Sequence, residues 1–232
     1  MQPFNSKVPR VRVLAELQSA GLHGLPGGGA EILVDEVRFG VSPIKGSSEN
    51  WLRVMGDAQV LGLVTSATNV FGFGESLLQR VQHMEKIRNL QQSSLSMGNP
   101  GFTSFISWPV MLENNSLGRG NRGHNRYSLG ANSTEYLRHV AVSRLYLDNI
   151  DHIQASWPTM GMEVAQLALF AGADDAGSTM MEENVVSASG TTKTGASIDE
   201  LRTMIESAGF IPVQRDSEYN TIYELPEPEL KN

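Results

Sequence analysis

Three consecutive glycines, residues 27–29, stand just before a carboxylate, Glu31. Glycine reaches positive φ values and lets a ligand approach the backbone closely, so a run of three is costly to order and usually has a reason. One explanation is a tight turn between a strand and a helix. The other is a ligand loop at the mouth of a β/α fold, with Glu31 facing hydroxyl groups or an amine. The local sequence leaves both explanations open.

Polar side chains and tryptophans follow the other strand-like runs of the chain. In parallel β/α folds, ligands bind at the carboxyl ends of the strands, so we expect these residues to share one pocket. Each also has a structural explanation, such as a first-turn acid for Glu75 or core packing for the tryptophans. The candidates are Thr68 and Asn69, Gly72 and Glu75, Trp108, Gln154, Ser156 and Trp157, Asp174 and Asp175, Thr179, and Glu182 with Glu183.

Two charged groups have both a chemical and a structural interpretation. Residues 174–175 with 182–183 supply four carboxylates that would suit a divalent metal ion, but such acids more often belong to a solvated loop. Residues 119–126 hold three arginines and one histidine, which would clamp a phosphate, although a mobile polar loop is the commoner arrangement. His83 is predicted to lie on the surface of its helix.

The apolar pattern predicts one helix followed by strand and helix alternating five times. Alternation of this kind implies a parallel sheet with helices outside it, in one α/β domain over residues 1–225, with a disordered tail expected at 226–232. Five strands are too few for a closed eight-stranded barrel, so the pattern leaves an open doubly wound sheet or an incomplete barrel. The strands are expected at 22–25, 63–71, 102–108, 150–155 and within 172–186, and the helices at 11–20, 47–61, 77–92, from 132, at 162–170 and from 197.

Composition narrows the class of protein. The chain has 232 residues, 40% of them hydrophobic, and a net charge of −7, which argues against a general nucleic-acid or membrane-surface binder. It has no run of 18 apolar residues and no apolar signal core near its start, so we expect a cytoplasmic protein. It has no cysteine, which excludes disulfides, thiolate catalysis and cysteine-ligated metal centres held by this chain.

Several strings, in this order, resemble one group of radical S-adenosylmethionine enzymes. This group includes the dehypoxanthine futalosine cyclase of menaquinone synthesis, the aminofutalosine synthase and the deazaflavin-forming subunit of cofactor F420 synthesis. The likeness covers about residues 11–215 and is greatest to the futalosine cyclase in the last two strings. The strings are LPGGGAEILVDEVRFGVSPIKGSSENW (25–51), TSATNVFGFGES (65–76), RVQHMEKIRNLQ (80–91), FTSFISWP (102–109), LDNIDHIQASW (147–157) and GADDAGSTMMEENVVSASGT (172–191).

The resemblance implies a partial TIM barrel, about strands four to eight of a (β/α)8 barrel. It implies an S-adenosylmethionine site formed by Gly28, Gly29, Glu31, Thr68, Gly72 and Glu75. It implies that the side facing the nucleoside substrate, dehypoxanthine futalosine, is lined by Trp108, Gln154, Ser156, Asp175, Thr179 and Glu182. The family's CxxxCxxC loop, which holds a 4Fe-4S cluster, has no counterpart in this chain.

This chain also departs from the family's usual residues. Phe73 stands where a histidine is usual, Asn69 where a methionine is usual, and Ser107 where a proline is usual. Three hypotheses follow. In the first, the chain is the C-terminal part of a futalosine cyclase whose cysteine-bearing strands one to three come from a separate chain. In the second, it is a truncated, non-catalytic module that binds a nucleoside or a partner. In the third, which sets the resemblance aside, it is a β/α enzyme that binds a phosphorylated small molecule at the glycine loop.

Overall fold

The chain forms a parallel sheet with helices packed on it. A computed structural model describes residues 8–42, 44–115, 117–119, 129–180, 188 and 193–224. Its main sheet has the order β1-β2-β3-β4, every neighbouring pair being parallel. This confirms the α/β fold class and is consistent with a partial TIM barrel. The strands are β1 (Gly24–Leu25), β2 (Val64–Phe71), β3 (Phe102–Pro109) and β4 (His152–Gln154).

Of the fifth strand, predicted within 172–186, the described residues 172–180 form a single parallel bridge, between Gln154 and Asp175. After it the chain forms an antiparallel hairpin of β5 (Val213–Arg215) and β6 (Thr221–Glu224), which the sequence pattern did not predict. Neither of these two strands carries a recognisable alternation of apolar and polar side chains. The tail at 226–232 lies outside the described residues.

Eight helices are present in the described ranges, and two of them were not predicted. The second helix follows the glycine loop, and the residue before it, Val34, makes no side-chain capping bond. It is held instead by Arg38, whose guanidinium donates to the Gly46 and Ala30 carbonyls. The sixth has only four residues. The helices are α1 (Arg10–Ser19), α2 (Asp35–Val41), α3 (Ser48–Val60), α4 (Leu77–Ser96), α5 (Ser133–Tyr146), α6 (Trp157–Met160), α7 (Met162–Phe170) and α8 (Ile198–Ser207).

Helix starts follow their local capping residues closely. Ser47 caps α3, and Ser197 with Glu200 forms the complete capping box predicted for α8. At α5 the prediction is only half right. Asn132 accepts from the Glu135 amide, but the Glu135 carboxylate turns away to an ion pair with Arg80. The Glu135 side chain thus makes a tertiary ion pair in place of the hydrogen bond with the Asn132 amide that would complete the capping box.

The largest apolar core lies where the helices pack on the sheet, with Phe71 and Phe105 from the strands and Met84 from α4. A smaller cluster of Ile32, Val70 and Phe73, with Trp108 against it, forms a second apolar group. The predicted apolar stripes were too wide, because Leu77, Leu78 and Leu145 are exposed. In the described part of the chain, no helix is long and apolar enough to cross a membrane.

Candidate functional site

The glycine loop lies directly after β1 and against the backbone of β2. The Gly27 amide donates to Ser66 Oγ, and Thr68 Oγ1 donates to the Gly27 carbonyl. A Cβ atom at Gly27 would stand 2.5 Å from the Ser66 carbonyl oxygen, so only glycine fits there. Gly28 and Gly29 have open space around them. The turn explanation therefore accounts for Gly27 and for the positive φ of Gly29, 82°, while the open space at Gly28 and Gly29 leaves room for a ligand to approach.

A pair of substitutions separates these two roles. Gly27→Ala is expected to reduce the free energy of unfolding by about 1–3 kcal/mol, because its Cβ would push the loop off β2. Gly28→Ala is the matched control, since no heavy atom lies within 4 Å of its added Cβ. Its stability should stay within about 0.5 kcal/mol of the parent. Urea unfolding of both variants measures this, and equal stabilities would contradict the packing argument.

Glu31 has a left-handed backbone, with φ of 43°. This region is less favourable by roughly 1–2 kcal/mol for a residue with a Cβ, so contacts with the rest of the protein must hold Glu31 there. Its carbonyl accepts from the Val70 amide at 2.8 Å and from Asn69 Nδ2 at 2.8 Å. Its carboxylate forms an ion pair with Lys45 and is partly exposed. Glu31 therefore presents a paired, accessible carboxylate at the carboxyl end of β1.

Glu75 lies after β2, as predicted, but its carboxylate is fully engaged by the protein. Oε1 accepts from the Gly72 amide at 2.8 Å and from Arg80 Nε at 2.6 Å, and Oε2 accepts from the Phe73 amide at 2.7 Å. Gly72 has φ of 91°, and a Cβ there would meet the Gly130 backbone at 2.8 Å. Glu75 thus stabilises the turn, and its predicted contact with a cofactor stays a prediction.

Three of the predicted residues share one face of the sheet. Thr68 is paired with Ile106, and Ile106 with Gln154, in one row across β2, β3 and β4. Val70 is paired with Trp108 two residues further on. Since paired residues in parallel strands point to the same face and alternate residues return to it, Thr68, Trp108 and Gln154 lie together. Their shared face follows from the strand register, and their role in binding a ligand stays a prediction.

Ser156 belongs to the start of α6 and is buried. Its amide donates to the Tyr136 hydroxyl at 2.8 Å, and its own hydroxyl bonds that of Thr159. Burial raises the pKa of Tyr136 to about 12, so the phenol stays neutral. Trp157 is buried too and donates from its indole nitrogen to the Ser178 carbonyl, which favours the core-packing explanation for this tryptophan.

Asp175 anchors the C-terminal hairpin. Its Oδ2 accepts from Arg215 Nη2 at 2.5 Å and from the Tyr219 hydroxyl at 2.6 Å, while Oδ1 accepts from the Gly177 amide. The Tyr219 ring stacks on His152, with centroids 3.9 Å apart. Burial, with the neighbouring Asp175 charge, raises the pKa of Tyr219. No spacing in the sequence links residue 175 to partners 40 and 44 residues later, so sequence reasoning missed them.

The metal interpretation of the acidic residues is tested only in part. Asp174 accepts from Arg144, His152 and the Ile153 amide. Both aspartates are therefore engaged with protein donors, and no group of three or more potential ligands that could hold a metal ion occurs among the described residues. Glu182 and Glu183 lie outside those residues, as do all but Arg119 of the predicted 119–126 basic group.

A cavity of about 620 Å³ lies between α8, the β5–β6 hairpin and the segment around Asp175, which bridges to β4. Asp175 and Thr179 line it together with Arg215 and Tyr219, whereas Glu31 does not. Leucine, isoleucine and phenylalanine side chains from α8 and the segment after it form much of the wall. The cavity has the mixed lining typical of small-molecule sites.

His83 was predicted at the surface, and this is wrong. It is completely buried between α4 and the sheet, and its Nδ1 accepts from the Leu33 amide at 2.9 Å. Burial lowers its pKa to about 3, with a further contribution from the nearby His139. Burial, followed by the charge of Arg80, lowers the pKa of His139 to about 3 as well. Both imidazoles are therefore neutral at pH 7.

The chain matches known proteins over most of its length. It is 43% identical to the cyclic dehypoxanthine futalosine synthase of Halalkalibacterium halodurans, over 90% of this chain and 53% of that protein. It is 39% identical to the protein of the same name from Streptomyces coelicolor, over 96% of this chain and 52% of that one. It is 38% identical to the aminodeoxyfutalosine synthase of Thermus thermophilus, over 94% and 56% respectively.

The chain thus spans about half the length of the curated relatives it matches. The model of a family described as the CofH/MqnC C-terminal region matches residues 99–228, which is more than half of the chain. The chain therefore belongs to the CofH/MqnC C-terminal region family.

Proposed function

We propose that this chain is the C-terminal part of a radical S-adenosylmethionine enzyme that cyclises dehypoxanthine futalosine in the futalosine route to menaquinone. The observation that carries the proposal is the 43% identity to a cyclic dehypoxanthine futalosine synthase over 90% of this chain. The geometry agrees with it, because the glycine loop offers open backbone beside an accessible carboxylate.

The residues of the glycine loop fit S-adenosylmethionine. Open space at Gly28 and Gly29 admits a ligand to the backbone, and the carboxylate of Glu31 accepts hydrogen bonds from ribose hydroxyls or an amine. When bound, S-adenosylmethionine is the source of the 5′-deoxyadenosyl radical implied by the resemblance. Lys45 is the partner of the Glu31 carboxylate that the ligand's own donors would replace.

This chain does not fit a 4Fe-4S cluster. Such clusters are held by cysteine thiolates, and the 232 residues contain none. We therefore place the cluster outside these 232 residues, in a part of the enzyme that carries strands one to three of the barrel, and we place no chemical step of this chain at the iron. The part of this chain is to bind and orient the cofactor and the nucleoside.

The nucleoside substrate would lie on the face shared by Thr68, Trp108 and Gln154. Trp108 offers a ring for stacking, and the Gln154 amide offers both a donor and an acceptor. The other proposed substrate residues are Ser156, Asp175, Thr179 and Glu182. Of these, Asp175 would act through the hairpin residues that it holds.

A non-catalytic module that binds a nucleoside is the second candidate, favoured by the missing thiolates. Addition of a chain that carries the CxxxCxxC segment decides between the two. Conversion of dehypoxanthine futalosine by the mixture, with none by either chain alone, supports the catalytic proposal. Binding of the nucleoside without turnover in the mixture supports the second candidate.

Glu31→Gln tests the cofactor site directly. We expect it to weaken S-adenosylmethionine binding at least tenfold, because a charged hydrogen bond contributes about 1.5–3 kcal/mol. Isothermal titration calorimetry of the parent and the variant measures the change. Glu49→Gln is the control, since Glu49 is an exposed residue on α3 that pairs only with Arg53 among the described residues. Equal affinities of Glu31→Gln and Glu49→Gln would contradict the assignment of Glu31.

A further inference from the structure

The conformation of the loop around Glu31 is held from outside the loop. Two side chains bond its main chain: Asn69 Nδ2 donates to the Glu31 carbonyl at 2.8 Å, and His83 Nδ1 accepts from the Leu33 amide at 2.9 Å. Asn69 belongs to β2 and His83 to α4, so both come from rigid elements of the fold. The two bonds bracket Glu31 and the residues that follow it.

The bond from Leu33 also fixes the state of the imidazole. A backbone amide can only donate, so Nδ1 must be unprotonated and the ring's proton must lie on Nε2. The ring is completely buried, and its centroid lies 6.1 Å from that of Phe105 on β3. It therefore has little freedom to turn away. His83 acts as a fixed acceptor placed behind the loop.

Burying these polar side chains in the core reduces the stability of the fold. Asn69 Oδ1 is buried and has no hydrogen-bond partner within the described ranges. A buried polar atom without a partner costs stability that an apolar side chain would not cost. An asparagine at this position makes physical sense if its Nδ2 bond to Glu31 is needed, since Glu31 must be kept in a left-handed conformation.

We propose that His83 and Asn69 are positioning residues, which hold the Glu31 loop in its ligand-binding conformation from behind the sheet. The inference rests on the proposed role of Glu31 in cofactor binding. Neither side chain needs to touch the ligand, because each acts through the backbone of residues 31–33. The position of the Glu31 carboxylate then depends on buried groups in β2 and α4.

Two nearly isosteric substitutions isolate the acceptor at residue 83. His83→Asn keeps an acceptor close to the place of Nδ1, whereas His83→Leu has a similar shape without it. Both lose the rest of the ring, so they share its packing cost. His139→Leu is a second control, because His139 is equally neutral and buried but packs on Phe71 and is not among the side chains bonded to the loop.

Two quantities are measured on the full chain: hydrogen exchange at the Leu33 amide by NMR, and S-adenosylmethionine affinity by calorimetry. We expect His83→Leu to speed exchange at Leu33 about tenfold and to weaken binding about tenfold, since it removes the imidazole acceptor of a buried amide. His83→Asn should restore both quantities most of the way to the parent values. His139→Leu should change neither, although it costs stability.

The outcomes are distinguishable. Unchanged Leu33 exchange in His83→Leu, or faster exchange with unchanged affinity, overturns the positioning inference. A third outcome is that the variants show the expected exchange at Leu33 but the parent chain binds no S-adenosylmethionine. This would support the positioning of the loop and refute the cofactor role of Glu31. If His83→Leu does not fold, Asn69→Leu provides the test, because the Glu31 carbonyl keeps its bond from Val70 in that variant. Unchanged exchange across the loop in Asn69→Leu would then overturn the inference.

Discussion

Lowering the pH from 7 to 5 is expected to reduce the free energy of unfolding by about 4 kcal/mol through two histidines alone. The pKa of each buried ring, His83 and His139, is about 3 in the folded chain, against about 6.5 in an unfolded one. The unfolded state therefore binds more protons between these values, so stability falls as the pH falls. One pKa unit corresponds to 1.36 kcal/mol, which gives about 2 kcal/mol for each histidine at pH 5.

Urea unfolding at pH 7, 6 and 5 measures this dependence. His139→Phe keeps an aromatic ring against Phe71 and removes one titrating group, so it should remove about half of the slope. His83→Asn should remove the other half. A parent chain with the same stability at pH 7 and pH 5 would show that these rings are accessible to protons in the folded state.

Local signals in the sequence were sufficient for most of the secondary structure. Ser47 and Ser197 begin helices because a cap is a bond between a side chain and an amide three residues later. The runs that form β2, β3 and β4 were equally readable, and the register of these strands places Thr68, Trp108 and Gln154 on one face of the sheet. α2 was missed because its stability comes from Arg38 and its distant carbonyl partners, and no local cap marks it.

The errors within the candidate site have the same physical origin. His83 lies beside Met84 and four residues before Ile87 on the buried face of α4, but nothing in the helical period shows that the Leu33 amide, 50 residues earlier, approaches its ring. The Asp175 carboxylate looks free in the sequence until Arg215 and Tyr219 return to it from the hairpin. Partners that lie far apart in the sequence decide whether a polar residue is available to a ligand, and a single sequence does not contain that information.

The second large effect is expected at Arg80, which links the turn after β2 to α5. Its guanidinium donates to Glu75 at 2.6 Å and to Glu135 at 2.7 Å, and it lies over the Phe71 ring. Arg80→Met leaves the buried Glu75 carboxylate with only the two amides of the turn. We expect the free energy of unfolding to fall by about 3–5 kcal/mol, the usual cost of removing one partner from a buried ion pair.

Arg53→Met is the matched control, because Arg53 makes an ion pair of the same kind with Glu49 on the exposed surface of α3. Its cost should stay below about 1 kcal/mol, since water screens the pair. Adding Glu75→Gln to Arg80→Met should recover part of the loss, because the unpaired charge is then gone while one amide of the turn still has an acceptor. Chemical denaturation of the four chains measures these differences. If Arg80→Met were no more costly than Arg53→Met, the buried Glu75 carboxylate would have to be stabilised by the Gly72 and Phe73 amides and not by the ion pair with Arg80.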